Sequence, residues 1–309
     1  MKEKIQNILL APVGWALNLL AFMPWWWIYL NADGLFFVAY YLLRYRRKTV
    51  RKNLQECYPE KSPRAIKEIE NAFYHHFADY FFETIKLLHA SDEAIKRRMV
   101  FHNVEFIDES IARGQSVMMY LGHIGNWEFI PSIVMWFNES TRARGNVLGQ
   151  AYHPLRNKWF DQFFLRIRTR YSSCFPSRQI LRVMIRNKQQ NHPMALGFIS
   201  DQHPHSNEKG HVVKFLNRPT AMIIGTEQIA RKLDMRVGYF HIRKTSRGHY
   251  ECTIIPMADH ASEAPEWSIT ERYAQLLEEN INECPPYWLW THKRWKRPVE
   301  LPKDWEVKP

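Results

Sequence analysis

The stretch SVMMYLGHIGNWEFIPSIVMWF, residues 116–137, decides how this chain is read. Its first part, SVMMYL at 116–121, is a short apolar run ended by glycine, the pattern of a strand buried on both faces. Gly122-His123 closes the run, Gly125-Asn126 turns the chain, and 127–137 resumes with a helical apolar pattern that opens on Trp127-Glu128. A histidine and an acid five positions apart do not share a face of one helix, since five steps of roughly 100° leave them about 140° apart. A strand-turn-helix corner removes the conflict: His123 ends the strand, Gly125 relaxes the backbone, Asn126 caps the helix and Glu128 falls in its first turn. The helix dipole favours a carboxylate there. A Glu128 that turned back to accept the imidazole N–H would fix the tautomer and make the other ring nitrogen a base. No serine or cysteine nucleophile lies between the two. The pair therefore suits a substrate hydroxyl or amine that attacks directly while His123 takes its proton, an effect of about 10²- to 10⁴-fold. On spacing alone, a histidine capping a strand and a glutamate at a helix start fit as well.

Outward from this corner, short apolar runs alternate with helical patterns. NVLGQAY (146–152) and MALGFIS (194–200) read as buried strands and HVVKFL (211–216) as a shorter one, while 155–168 and 178–187 read as helices. PTAMIIGTEQIARKLD (219–234) reads as a helix after a proline. RVGYFHI and YECTIIP form a strand pair joined across RKTSRGH, and SITERYAQLLEENINE (268–283) is a closing helix. Residues 62–89 open with Ser62-Pro63, an N-cap and first-turn proline, and repeat apolar residues at helical spacing. The alternation predicts an α/β sandwich with a mixed, mostly buried central sheet flanked by helices.

The composition changes near residue 53. From Leu9 to Tyr29, LLAPVGWALNLLAFMPWWWIY carries no charge over a length that can cross a hydrocarbon core of about 30 Å, and no A-x-A cleavage site follows it. This predicts an N-terminal membrane helix, with Pro12, Asn18 and Pro24 leaving a tilted, kinked or interfacial helix open. LFFVAYYLL at 35–43 is too short to span and is expected along the interface. The chain thus divides into an anchoring segment, 1–53, and a catalytic domain, 54–309. Lys and Arg outnumber Asp and Glu by 43 to 31, a net charge of +12, which points to an anionic partner, a solvated basic face being the other reading. Six basic residues sit in RYRRKTVRK (44–52) and four in KRWKR (293–297). Both clusters adjoin aromatic, apolar sequence, which suits anionic lipid headgroups, and positive residues after the apolar segment favour a cytoplasmic catalytic domain. No helix-turn-helix, zinc-finger or RNP signature is present, so nucleic acid is not the expected partner. Four cysteines without a CxxC pair read as free thiols in a reducing compartment.

LGHIGNWE resembles the H-x4-D/E motif of the glycerolipid and lipid A acyltransferase superfamily, and in particular the lipid A late acyltransferases. VRKNLQECYPEKS (50–62), YHPLRNKWFDQFFLRIRTR (152–170), GFISDQHPHSNEKGHVVKFLNRPTAM (197–222) and YWLWTHKRWKRP (287–298) resemble further segments of that family, in order along the chain. The resemblance implies an acyl donor on a thioester, acyl carrier protein or acyl-CoA, and a lipid hydroxyl acceptor at the bacterial inner membrane. No metal or cofactor is implied. His123 would be the base and Glu128 its partner, with Gly125 and Asn126 supporting the oxyanion. Asp201 and one of Arg168 or Arg170 match charged family positions that shape the donor or acceptor site. Asp201 also follows a predicted strand, where ligands of α/β sheets gather. The phosphate-gripping FPEG block of glycerol-phosphate acyltransferases is absent, which disfavours a lysophosphatidate acceptor. Two other readings fit parts of the chain. His75-His76, His203 and His205 raise a metal hydrolase, though without an H-E-x-x-H or Cys/His ladder. A non-catalytic membrane-binding protein would use the anchor and basic clusters and make no demand on His123.

Overall fold

The computed structural model describes residues 2–155, 157–204 and 210–300. Helices α1 (Lys2–Phe22), α2 (Trp25–Phe37), α3 (Arg47–Cys57), α4 (Pro63–Lys86) and the short α5 (Asp92–Lys96) precede the sheet. β1 (Met99–His102), α6 (Glu105–Ala112), β2 (Val117–Leu121), a 3-10 helix (Trp127–Met135), α7 (Glu139–Ala143) and β3 (Leu148–Tyr152) follow. Then come α8 (Lys158–Arg168), β4 (Ser173–Pro176), α9 (Ile180–Gln189), β5 (Ala195–Ile199), β6 (Gly210–Phe215) and β7 (Arg218–Ile223). The chain continues through α10 (Gly225–Leu233), β8 (Arg236–Ser246), β9 (His249–Ala258) and α11 (Ser268–Glu283).

Seven strands form one sheet in the order β1-β9-β8-β2-β5-β3-β4, parallel throughout except for the β8–β9 hairpin. All five residues of β2 are buried, as its unbroken apolar run requires when helices cover both faces. On one face Met119 and Gly238 meet Phe106 of α6; on the other Tyr120 and Tyr239 pack on Tyr273 of α11. The α4 helix begins as Ser62-Pro63 predicts, with the Ser62 hydroxyl accepting the Ala65 N–H at 3.2 Å.

Three expectations change. The helix expected over 127–137 is a 3-10 helix, because Pro131 in its middle has no N–H for an α-helical bond. The segment 219–234 is strand β7 followed by α10. Leu216 and Asn217, both with positive φ, make the two-residue turn that pairs Phe215 with Arg218, a geometry that matches strand twist but lacks the usual Asn-Gly signature. The spanning N-terminal helix is not found: among the described residues, no helix is long and apolar enough to cross a membrane. Pro24 caps α2 instead of continuing α1, so the uncharged run from Leu9 to Tyr29 is broken after Phe22. The α2 helix lies on α4 through buried Ile28, Ala32 and Phe36, and Lys86 of α4 donates to the carbonyls of Ala21 and Met23 at 2.8 and 2.7 Å.

Candidate active site

Strand β2 delivers His123 two residues beyond Leu121, and β5 delivers Asp201 two residues beyond Ile199. Because Leu121 and Ile199 are register partners on parallel strands, His123 and Asp201 arrive side by side. The His123 ring Nδ1 lies 2.6 Å from Asp201 Oδ1, and the His123 backbone N–H and the Trp288 indole N–H both donate to Oδ2 at 2.8 Å. Burial pushes this carboxyl up, but the charge of His123 and the hydrogen bonds from its ring, its backbone and Trp288 outweigh that and hold it at about 2. An ionised carboxylate only accepts, so the ring proton sits on Nδ1 and Nε2 is the free lone pair. That Nε2 lies 3.4 Å from the Gln202 amide, and the His123 side chain keeps 16% of its surface exposed.

The structure pairs Glu128 with Arg168 and not with the His123 ring, whose Nδ1 meets Asp201. Both Glu128 oxygens engage Arg168, with Nε–Oε2 at 2.8 Å and Nη2–Oε1 at 2.5 Å, and Tyr80 Oη donates to Oε1 at 3.4 Å. A guanidinium fork matches a buried carboxylate with two charge-assisted bonds, which a single imidazole N–H does not equal, and Asp201 already satisfies that N–H. Burial alone would pull the Arg168 guanidinium down; Glu128 raises it above its ordinary value. Of the two arginines singled out in the sequence, only Arg168 reaches the site. Arg170 clamps the end of α4, donating to the carbonyls of Leu87 and Ala90 and to Asp92.

Gly125 and Asn126 shape the corner. Gly125 has φ +59, donates its N–H to Tyr287 O at 2.9 Å, and places its carbonyl 3.1 Å from His76 Nε2. The Asn126 side chain accepts the Glu128 N–H at 3.2 Å, as an N-cap should, and donates to the buried Glu83 at 2.9 Å. The Gly125 N–H and one N–H of the Asn126 side-chain amide are thus taken up within the corner. The histidines that suggested a metal are scattered. His75 stacks on Phe36, His76 serves Gly125, His203 Nδ1 meets the Pro204 carbonyl, and His205 lies outside the described residues. Among the described residues, no three His, Cys, Asp or Glu side chains group closely enough to hold a metal.

A cavity of about 770 Å³ opens at His123. Met119, Leu121, Ile130, Ile199 and Phe240 give it an apolar side, Gln150 and Arg168 a polar one, and Lys296 and Arg297 bring positive charge to it. A model of the family described as bacterial lipid A biosynthesis acyltransferase matches residues 6–297, nearly the whole chain. The chain belongs to that family. A relative from Haemophilus influenzae, named lipid A biosynthesis acyltransferase, is 20% identical over 247 residues, covering 79% of this chain and 74% of the relative.

Family membership supports acyltransferase chemistry as the general activity. Within this acyltransferase, several site residues carried no individual signal in the sequence. Trp288, which holds Asp201, was visible only as part of the aromatic-basic tail. Trp127 packs edge-on to His123 with ring centroids 4.8 Å apart, and Tyr80 stacks behind Trp127 at 4.1 Å. Both stand among many aromatics at helical spacing, which mark core as readily as site.

Proposed function

We propose that the protein transfers a fatty acyl chain from a thioester donor, acyl carrier protein or acyl-CoA, to a hydroxyl of a membrane lipid such as a lipid A precursor. His123 Nε2 accepts the proton of the acceptor hydroxyl as its oxygen attacks the thioester carbonyl. The O–H bond breaks, a C–O bond forms, and on collapse the C–S bond breaks and the thiolate takes the proton back from Nε2. Asp201 holds the ring and stabilises the imidazolium. Arg168, fixed by Glu128, presents positive charge to the oxygen that becomes anionic. The observation that carries this reading is the Asp201–His123 pair set in the wall of a cavity with an apolar side, with Nε2 next to the Gln202 amide.

The exposed apolar side chains Trp15, Leu19, Phe22, Trp26, Leu42 and Leu43, beside Arg44, Lys48 and Lys52, support docking on the cytoplasmic face of the inner membrane against anionic lipid. In a detergent assay of thioester cleavage and lipid acylation, His123→Ala should lower turnover by about 10²- to 10⁴-fold with the fold intact. Turnover equal to that of the native protein would defeat the proposal.

A further inference from the structure

The cavity has a direction. Leu121 and Ile199 form the level of the sheet nearest His123, and Met119 and Gly197, also register partners, form the next level inward. The level beyond them, Val117 and Ala195, is buried and does not line the space. On the other flank of Met119 its register partner is Gly238, and a Cβ there would come within 3.1 Å of the Met119 thioether. The methionine therefore leans towards β8, away from β5. At Gly197, by contrast, an added Cβ would meet no heavy atom closer than 3.9 Å. The sheet is thus open at Gly197 and filled at Gly238.

We propose that Gly197 sets the length of the acyl chain this site transfers, the donor chain running from His123 past Leu121 and Ile199 to end at Met119 and Gly197. This rests on the acyltransferase reading above. Four strand residues from His123 to Met119 span about 13 Å. Staggered C–C bonds of about 1.5 Å advance roughly 1.3 Å each, so that depth holds a chain on the order of ten carbons. A side chain at Gly197 takes the place of the terminal methylenes. It leaves the carbonyl end, and the base, where they are.

The test uses the full chain in mixed micelles with a bacterial inner-membrane lipid extract and an equimolar mixture of saturated acyl-CoA thioesters from short to long. Thiol release gives the rate, and mass spectrometry of the acylated lipid gives the chain lengths transferred. Gly197→Ala should move the preferred donor to a shorter chain, and Gly197→Leu further, with discrimination on the order of tenfold per methylene and little loss on the shortest donor. Gly149→Ala is the control. Its backbone lines the cavity, but its register partner is Leu196, so its Cβ points to the opposite face and would come within 2.9 Å of the Phe175 ring; the variant should lower thermal stability without moving the chain-length profile. An unchanged profile in both Gly197 variants, or equal loss on every donor in both, overturns the proposal. No thiol release by the native protein from either the acyl-CoA or the matching acyl carrier protein thioesters would instead remove the acyltransferase reading on which it stands.

Discussion

Asp201 accepts hydrogen bonds from the ring and backbone of His123 and from Trp288, and this distributes function and stability differently between the two carboxylates of the site. Asp201→Asn keeps the shape but no longer requires a proton on Nδ1, so Nε2 can carry the proton and lose its basic lone pair. Turnover should fall at least about 10²-fold, and Tm near neutral pH should fall as well, because the charge-assisted bonds of the buried carboxylate are lost. The carboxyl is held at about 2 against an ordinary 3.8, a lowered acid, so its stabilisation is complete above about pH 4 and lost as pH falls towards 2. Acid unfolding followed by circular dichroism should show that limb in the native protein and a shallower one in Asp201→Asn. Glu128→Ala acts otherwise: it leaves the partly exposed Arg168 guanidinium at the cavity unpaired, a loss of about 1–3 kcal/mol readable in urea unfolding. If Glu128→Gln abolished transfer in a stable protein while Asp201→Asn transferred normally, the roles would be reversed. In the sequence, His123 and Asp201 each follow a buried run by the same offset, but nothing there says that β2 and β5 are neighbours. Strand register brings Asp201 to the His123 ring across the sheet, whereas Glu128, only five residues away along the chain, meets Arg168.

At the scale of elements, the corner between β2 and the 3-10 helix is gripped from two sides. His76 and Glu83, both buried on α4, hold Gly125 O and the Asn126 amide, while Tyr287 O takes the Gly125 N–H and Leu289 donates to His123 O at 3.1 Å. Burial and the nearby Lys244 keep His76 well below the usual histidine range, so it serves as a neutral donor to the carbonyl. His76→Ala would leave that buried carbonyl unsatisfied, at a cost of about 1–3 kcal/mol in urea unfolding, and should lower turnover because the corner that aims His123 loosens. Unchanged stability and turnover would show that the C-terminal segment alone suffices. The long amphipathic α4 was legible from apolar spacing and its Ser62-Pro63 start. Its polar posts were not, because a buried histidine or glutamate in such a helix looks like an interruption until its partner is known. Short β1 and β4, of four residues each, escaped for a related reason: so few residues carry no periodicity of their own.

Over the whole molecule, the +12 charge divides into internal and external parts. Arg47 and Arg51 are both bound at 2.7 Å by the fully buried Glu70, and Arg294 is itself buried against the Ala221 carbonyl and the Met222 sulfur. These arginines hold the fold together, and burial draws Arg294 down to about 10. Among the cations left exposed, Arg44, Lys48 and Lys52 follow in sequence the exposed apolar residues that include Trp15, 81% exposed, and Leu43, 72% exposed. A surface of large apolar groups edged by cations fits an interface-lying anchor, in which the rings enter the acyl boundary and the cations meet headgroups. Replacing Trp15, Leu19 and Leu43 together by serine removes exposed side chains each worth about 1.5–3 kcal/mol when fully buried. Co-sedimentation with phosphatidylglycerol vesicles should then fall by tenfold or more while the thermal unfolding curve is kept. Arg44→Glu with Lys48→Glu should weaken binding to those vesicles by about 1 kcal/mol per residue, less at high salt, and leave binding to phosphatidylcholine unaltered. Equal binding of all variants would mean that another face meets the membrane.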